Sequence, residues 1–240
     1  VTIGYVTQQI VKNPNTRVLI LSATWQMAVD FLTEVKRHLE GNERLIELYG
    51  NLTLNNTEWS QDRITLKRTD TNIKGPTVWA TGIDSNLVGS HPDIIVLDDV
   101  VNRDNTATRE QIEKVILRYK DLLDLLEPGG QFLVIGTRWV QEDLYGWIMD
   151  RENNVLSSYN VMQKRAYEGN LTTGEVDSYL WPEKFTVKLL QDLLREKGIY
   201  EFSAQYLNNP IPSEDADFKR DDFNYYDYED FRGKSLNKIL

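Results

Sequence analysis

Along the first two thirds of the chain, short wholly apolar runs alternate with longer stretches in which apolar residues return every three or four positions. Arg17 to Ser22 (RVLILS) reads as a buried strand. A helix is predicted from about Trp25 to Leu39, with Thr24 as its N-cap and Met27, Phe31, Val35 and Leu39 on its apolar face. Arg63 to Arg68 and Thr77 to Thr81 are β-rich and are joined by a polar turn through Asn72, Gly75 and Pro76, so they are expected to pair at the sheet's periphery. Ile94 to Leu97 is a further apolar strand that stops at two acids, Asp98 and Asp99. From Thr108 a helical stripe of Ile112, Val115, Ile116, Tyr119, Leu122, Leu123 and Leu126 runs to a stop at Pro128-Gly129-Gly130. Gln131 to Ile135 (QFLVI) is the next buried strand, and Val1 to Lys12 reads as a helix with Ile3, Val6, Ile10 and Val11 apolar. Strands alternating with helices predict an α/β domain with a mainly parallel sheet.

Beyond about residue 155 the texture changes. Leu156 to Phe231 has few long apolar strands; a short helix is predicted over Thr186–Lys197, closed by Gly198, and another helical turn over Glu201–Asn209, ended by Pro210. The expected organisation is a core over 1–155, a small lid or linker subdomain over 156–231, and the start of a connection over 232–240. Gln205 and Tyr206 are read as packing and capping residues.

Composition narrows the class. At 240 residues, 40% of them hydrophobic, the chain can bury one good core and a smaller appendage. No apolar run approaches the roughly 20 residues of a membrane helix, so no membrane partner is expected. The absence of cysteine excludes thiolate sites, and two histidines, His38 and His91, are too few for a histidine cluster, so any metal should be oxygen-ligated and Mg²⁺-like. A net charge of −10 argues against a protein that simply coats nucleic acid. Much of that charge lies between Ser213 and Phe231, where eight acids face Lys219 and Arg220; this tyrosine-bearing stretch is read as a solvated linker or lid.

The chemistry concentrates where strands end: Ser22 and Thr24, Asp98 and Asp99, Thr137 and Arg138. In a parallel sheet such ends lie side by side, and ligands bind just beyond them. An apolar strand ending in two carboxylates has the form of a Walker B motif: the first acid would hold Mg²⁺ against nucleotide phosphates, and the second would orient or deprotonate the attacking water.

The order and spacing of several strings together resemble the ATPase region of the large terminase subunit, the DNA-packaging motor of tailed double-stranded DNA bacteriophages. These are ILSAT at Ile20–Thr24, TGI at Thr81–Ile83, GSHPDIIVLDD at Gly89–Asp99, PGGQFLVIGTRW at Pro128–Trp139, EDLYGWI at Glu142–Ile148, LWPEKF at Leu180–Phe185 and FSAQYLNNPIP at Phe202–Pro212. The resemblance implies an additional-strand, RecA-like P-loop ATPase that uses ATP and Mg²⁺ to drive double-stranded DNA into a procapsid. Its implied partners are the portal protein, the small terminase subunit and further copies of itself in a ring on the portal. The implied location is the host cytoplasm, with the motor not retained in the mature virion. By position, Asp98 would be the Walker B aspartate, binding both metal and cofactor. Asp99 stands where many relatives have a catalytic glutamate, and Thr137 matches the coupling residue that senses γ-phosphate.

Two departures stand beside this resemblance. No G-x-x-x-x-G-K-S/T loop occurs, and Val1 to Lys12 reads as the body of the helix such a loop would open. The chain also stops at Ser235–Leu240, short of the nuclease that large terminases carry. As written, the fragment is expected to bind ATP poorly and to have no nuclease activity. Arg103, Arg109 and Arg138 are the candidates for an arginine finger, against a reading of all three as ordinary surface ion pairs. The alternatives from other classes are a catalytically inactive α/β scaffold and a fragment like a superfamily 2 helicase, which would be expected to carry a DExx box and a second RecA-like lobe.

Overall fold

The computed structural model describes residues 1–54, 58–87, 89–150 and 158–211. The acidic segment after Ser213 and the connection over 232–240 lie outside the described residues. Helix α1 (Thr2–Lys12) leads into β1 (Val18–Ser22), α2 (Trp25–Gly41) and α3 (Glu43–Tyr49). Next come β2 (Glu58–Trp59), β3 (Arg63–Thr65), β4 (Val78–Gly82) and β5 (Ile94–Asp98). A 3₁₀ turn at Asp104–Thr106 precedes α4 (Arg109–Leu125), which is followed by β6 (Gln131–Ile135), α5 (Leu144–Met149), the pair β7 (Tyr167–Asn170) and β8 (Glu175–Tyr179), and α6 (Val187–Leu207).

Six strands make one sheet in the order β2-β3-β4-β1-β5-β6, with β4, β1, β5 and β6 parallel and β2 and β3 antiparallel. The architecture is α/β with a mainly parallel sheet, compatible with a RecA-like core. Period-two alternation divides the core in two. Val18 and Ile20 of β1 pack with Ile94 and Val96 of β5 under α1 and α2, whereas Leu19, Leu21, Ile95 and Leu97 face the other side, against Val115, Tyr119 and Leu122 of α4 and Leu144 and Ile148 of α5. Among the described residues, no helix is long and apolar enough to cross a membrane.

Thr24 caps α2 as expected, its side chain accepting from the Met27 N–H. The apolar face differs from the predicted one. Ala28, Val29, Leu32, Val35 and Leu39 are buried, while Met27 is exposed. A run of strict four-residue steps drifts about 40° per step around a helix of 3.6 residues per turn, so 27, 31, 35 and 39 cannot share one contact line. The sheet selects 28, 32, 35 and 39 instead. Helix α4 begins with a capping box between Thr108 and Gln111, and Leu123 from its predicted stripe is turned outward. The expected pairing of the two β-rich segments is present, but β4 is not peripheral: it lies between β3 and β1, and β3 ends at Thr65.

Residues 158–211 carry an apolar cluster of their own, in which Leu171, Leu190 and Phe202 are buried and Tyr206 stacks on Phe202 with ring centroids 5.0 Å apart. The β7–β8 hairpin within it was not anticipated, because its strands are mostly polar and exposed. The two predicted helical pieces fuse into α6, kinked at Gly198, whose φ of 76° breaks the helical geometry. This part docks on the core through Arg138, whose backbone N–H donates to the Asn208 side chain at 3.1 Å.

Opposite the polar rim predicted from the strand ends, Arg17 ties three parallel strands together. Its guanidinium holds Asp93, just before β5, at 2.9 Å and Glu127, just before β6, at 3.2 Å, and its backbone N–H also donates to Asp93. Burial alone would raise the Asp93 carboxyl, but the hydrogen bonds from Arg17 outweigh it and hold the group below its ordinary value. Asp93→Asn is expected to lower stability by about 1–2 kcal/mol at neutral pH in urea unfolding, since the pair is partly solvated and screened. A carboxyl with a depressed folded-state value stabilises above its unfolded value and loses that contribution as pH falls through the folded one. The gap between wild type and variant should therefore close toward about pH 2, and an undiminished gap there would contradict this assignment.

Candidate functional site

Parallel register brings the strand ends together. Leu21 of β1 pairs with Leu97 of β5, and Asp98 pairs with Ile135 of β6, so Ser22, Asp98 and the Gly136-Thr137 turn share one rim. Gly82, at the end of β4, lets the β1–α2 turn pass closely: a Cβ there would sit 3.0 Å from the Trp25 nitrogen.

The two acids occupy different environments although they are adjacent in sequence. Asp98 completes β5 and is 7% exposed. Its carboxylate accepts a hydrogen bond from the Thr2 hydroxyl of α1 at 2.5 Å, and Thr2 is itself buried. Asp99 leaves the strand with φ 48°, a left-handed conformation that aspartate tolerates better than most residues, and this turns it to the exposed lip. Its backbone is fastened on both sides: the N–H donates to the Ile135 carbonyl at 3.0 Å, and its carbonyl accepts from the Ala23 N–H at 3.2 Å.

Electrostatically the pair is only partly compensated. Burial raises the Asp98 carboxyl above its ordinary value, offset in part by the Thr2 hydroxyl and then by the Val1 ammonium; the surrounding protein and then the Asp98 charge raise Asp99. Among the described residues, no lysine or arginine side chain contributes to relieving either acid. No group of three or more His, Cys, Asp or Glu side chains is gathered as a metal cage among the described residues. Two carboxylates and a buried hydroxyl nevertheless fit Mg²⁺, which takes one or two protein carboxylates and fills its remaining positions with water and phosphate oxygens.

Behind the rim, Tyr145 of α5 closes the space under Gly136. A Cβ on Gly136 would lie 1.9 Å from the Tyr145 hydroxyl, which donates to the Ile135 carbonyl at 3.3 Å, the same oxygen that receives the Asp99 N–H. Burial, and secondarily the nearby Asp99 charge, push the phenol well above its ordinary value, so it stays protonated as a donor. Thr137 follows directly, half-buried on the rim.

The three arginines lie apart from the acids, each with its own partner. Arg138 is turned toward α5, 3.0 Å from the fully buried Asp143 and bonded to the carbonyls of Val140 and Gln141. Asp143 in turn caps α5 by accepting from the Gly146 N–H. Arg103 is exposed and pairs with Glu201 of α6 at 2.7 Å, and Arg109 is exposed and pairs with Glu113. Thr2 and Tyr145 escaped attention in the sequence. A hydroxyl in the first turn of a helix preceding a buried strand was the signal for Thr2; no local pattern marks Tyr145, whose role depends on where α5 packs.

An exposed but crowded carboxyl with a raised folded-state value destabilises the fold once ionised. That penalty is absent below the ordinary carboxylate value and complete above the folded one. Asp99→Asn, which keeps a residue suited to the left-handed conformation, should therefore raise the thermal midpoint at about pH 8 without divalent cations, and the gain should vanish toward about pH 3. A midpoint that falls at both pH values would show that Asp99 is compensated.

No family profile matches the sequence. The chain is similar to the large terminase subunit of Enterobacteria phage T3, with 28% identity over 155 residues that cover 56% of this chain and 26% of that protein. It thus spans about a quarter of the relative's length, and the likeness amounts to a moderately distant, terminase-like relationship.

Proposed function

We propose that the chain is ATPase motor region of a DNA-packaging terminase, coupling ATP hydrolysis to movement of double-stranded DNA through a portal into a procapsid. The observation that carries this is the raised Asp98–Asp99 pair, relieved by no lysine or arginine, at the end of a central parallel strand, with Thr2 reaching Asp98 from α1. The terminase-like similarity narrows the class of motor.

In this reading Thr2 and Asp98 would hold Mg²⁺, which would supply charge neutralisation for nucleotide phosphates when bound. Asp99, at the lip, orients the water that attacks the γ-phosphorus and accepts its proton as ADP departs. Its side chain is one methylene shorter than glutamate; the left-handed turn that carries it outward from the strand compensates for part of that reach. Thr137, one residue beyond Gly136, would be the residue that senses γ-phosphate. Its neighbour Arg138 ties the same turn to α5 and to Asn208, so a shift at Thr137 reaches the 158–211 part directly. Arg103, exposed, paired with Glu201 and lying over the Trp139 ring, and Arg109, exposed and paired with Glu113, are the arginines placed to meet a neighbouring subunit, whereas Arg138 is committed to Asp143. Portal protein, small subunit and a ring of copies are the partners this function requires.

The test is DNA-stimulated ATP hydrolysis by the protein expressed from its complete reading frame. Asp98→Ala and Asp99→Ala should each lower turnover at least about 10²-fold, while Asp98→Ala alone should also abolish Mg²⁺-dependent nucleotide binding. Unchanged turnover in both variants would remove these carboxylates from the reaction and favour an inactive scaffold.

A further inference from the structure

Ser22 is the last residue of β1 and is fully buried, yet its hydroxyl has no hydrogen-bond partner. The backbone around it is satisfied, the Ser22 carbonyl accepting from the Ile83 N–H at 2.9 Å. Strand alternation fixes where the side chain belongs. Val18 and Ile20 share one apolar cluster with Ile94 and Val96 of β5 and with Val6 and Ile10 of α1. Ser22 and Asp98 continue those two rows by one step, and Leu21 pairs with Leu97 immediately before them. Ser22 therefore stands beside Asp98 on the face covered by α1, the face from which Thr2 reaches the same carboxylate.

A buried hydroxyl without a partner destabilises a fold, and alanine at this position would keep the packing and remove the penalty. The serine is unexplained by folding but accounted for by a polar occupant next to Asp98. We propose that Ser22 belongs to the cation site, its hydroxyl holding a water of a hydrated Mg²⁺-type ion whose inner shell includes Asp98. This rests on the proposed role of Asp98 and adds a positioning residue to it. Ser22 orients a metal-bound water and does not itself ligate the metal; such outer-shell partners commonly change metal affinity by about 10–100-fold when removed.

The experiment is a titration of Mg²⁺ at constant ionic strength, followed by the thermal midpoint, for the wild-type chain, Ser22→Ala and Asp98→Asn. Ser22→Ala is expected to unfold at the same or a higher temperature without Mg²⁺ and to need about 10-fold more Mg²⁺ for half of the stabilisation. Asp98→Asn should lose the response. If Asp98→Asn loses the response while Ser22→Ala titrates like wild type, the Ser22 proposal is overturned and the Asp98 assignment stands. A midpoint several degrees lower for metal-free Ser22→Ala would also overturn it, by showing that the hydroxyl has a partner within the fold. No Mg²⁺-specific response in the wild type would overturn both.

Discussion

The parallel seating of β5 between β1 and β6 is the constraint on which everything else depends. It places three carboxyl-terminal strand ends in one rim and delivers the Asp98 side chain to the face under α1, where Thr2 meets it. The opposite ends of the same strands are pinned by Arg17 on Asp93 and Glu127. A slip of one residue in β5 would exchange the rows Ile94–Val96 and Ile95–Leu97 between the two halves of the core and carry Asp98 to the wrong face. Apolar alternation thus protects the placement of a charge.

What sits on that rim runs against stability. Asp98 and Asp99 are both raised, neither is relieved by a lysine or arginine, Ser22 is buried without a hydrogen bond, and Asp99 takes a conformation that most residues avoid. These departures converge within two neighbouring strand ends. A divalent cation with its water ligands would relieve the raised carboxylates and the unpartnered hydroxyl together. Tyr145 and the Arg138–Asp143 pair form a rigid backing to the same rim, so the turn carrying Thr137 is braced by α5 on one side and by Asn208 on the other.

Much of this was legible in the sequence, and the exceptions have physical reasons. β1 and β5 announced themselves as continuous apolar runs and are buried throughout, whereas β6, expected from the same signal to be buried, lies at the sheet edge and is only partly covered; Asp98 and Asp99 stood out because they end one of those runs. The cap of α2 was readable from Thr24, and the start of α4 was placed at Thr108. The β7–β8 hairpin was not, since its exposed polar strands lack the alternation that signals a half-buried sheet. Nor was the orientation of Arg138: adjacency to Thr137 suggested chemistry, but a guanidinium follows the strongest fixed charge within reach, and Asp143 supplies it only because the 138–143 loop folds back. Thr2 acquires meaning only once a residue 96 positions away is brought to it.

The most direct measurement is the position of a bound cation. Crystals of the protein grown with Mn²⁺ and a non-hydrolysable ATP analogue would locate the metal by its anomalous scattering. The account predicts a single peak between Thr2 and Asp98, within about 2.2 Å of an Asp98 carboxylate oxygen. A peak elsewhere on the sheet, or nucleotide bound with the Thr2–Asp98 hydrogen bond intact and no metal beside it, would contradict it.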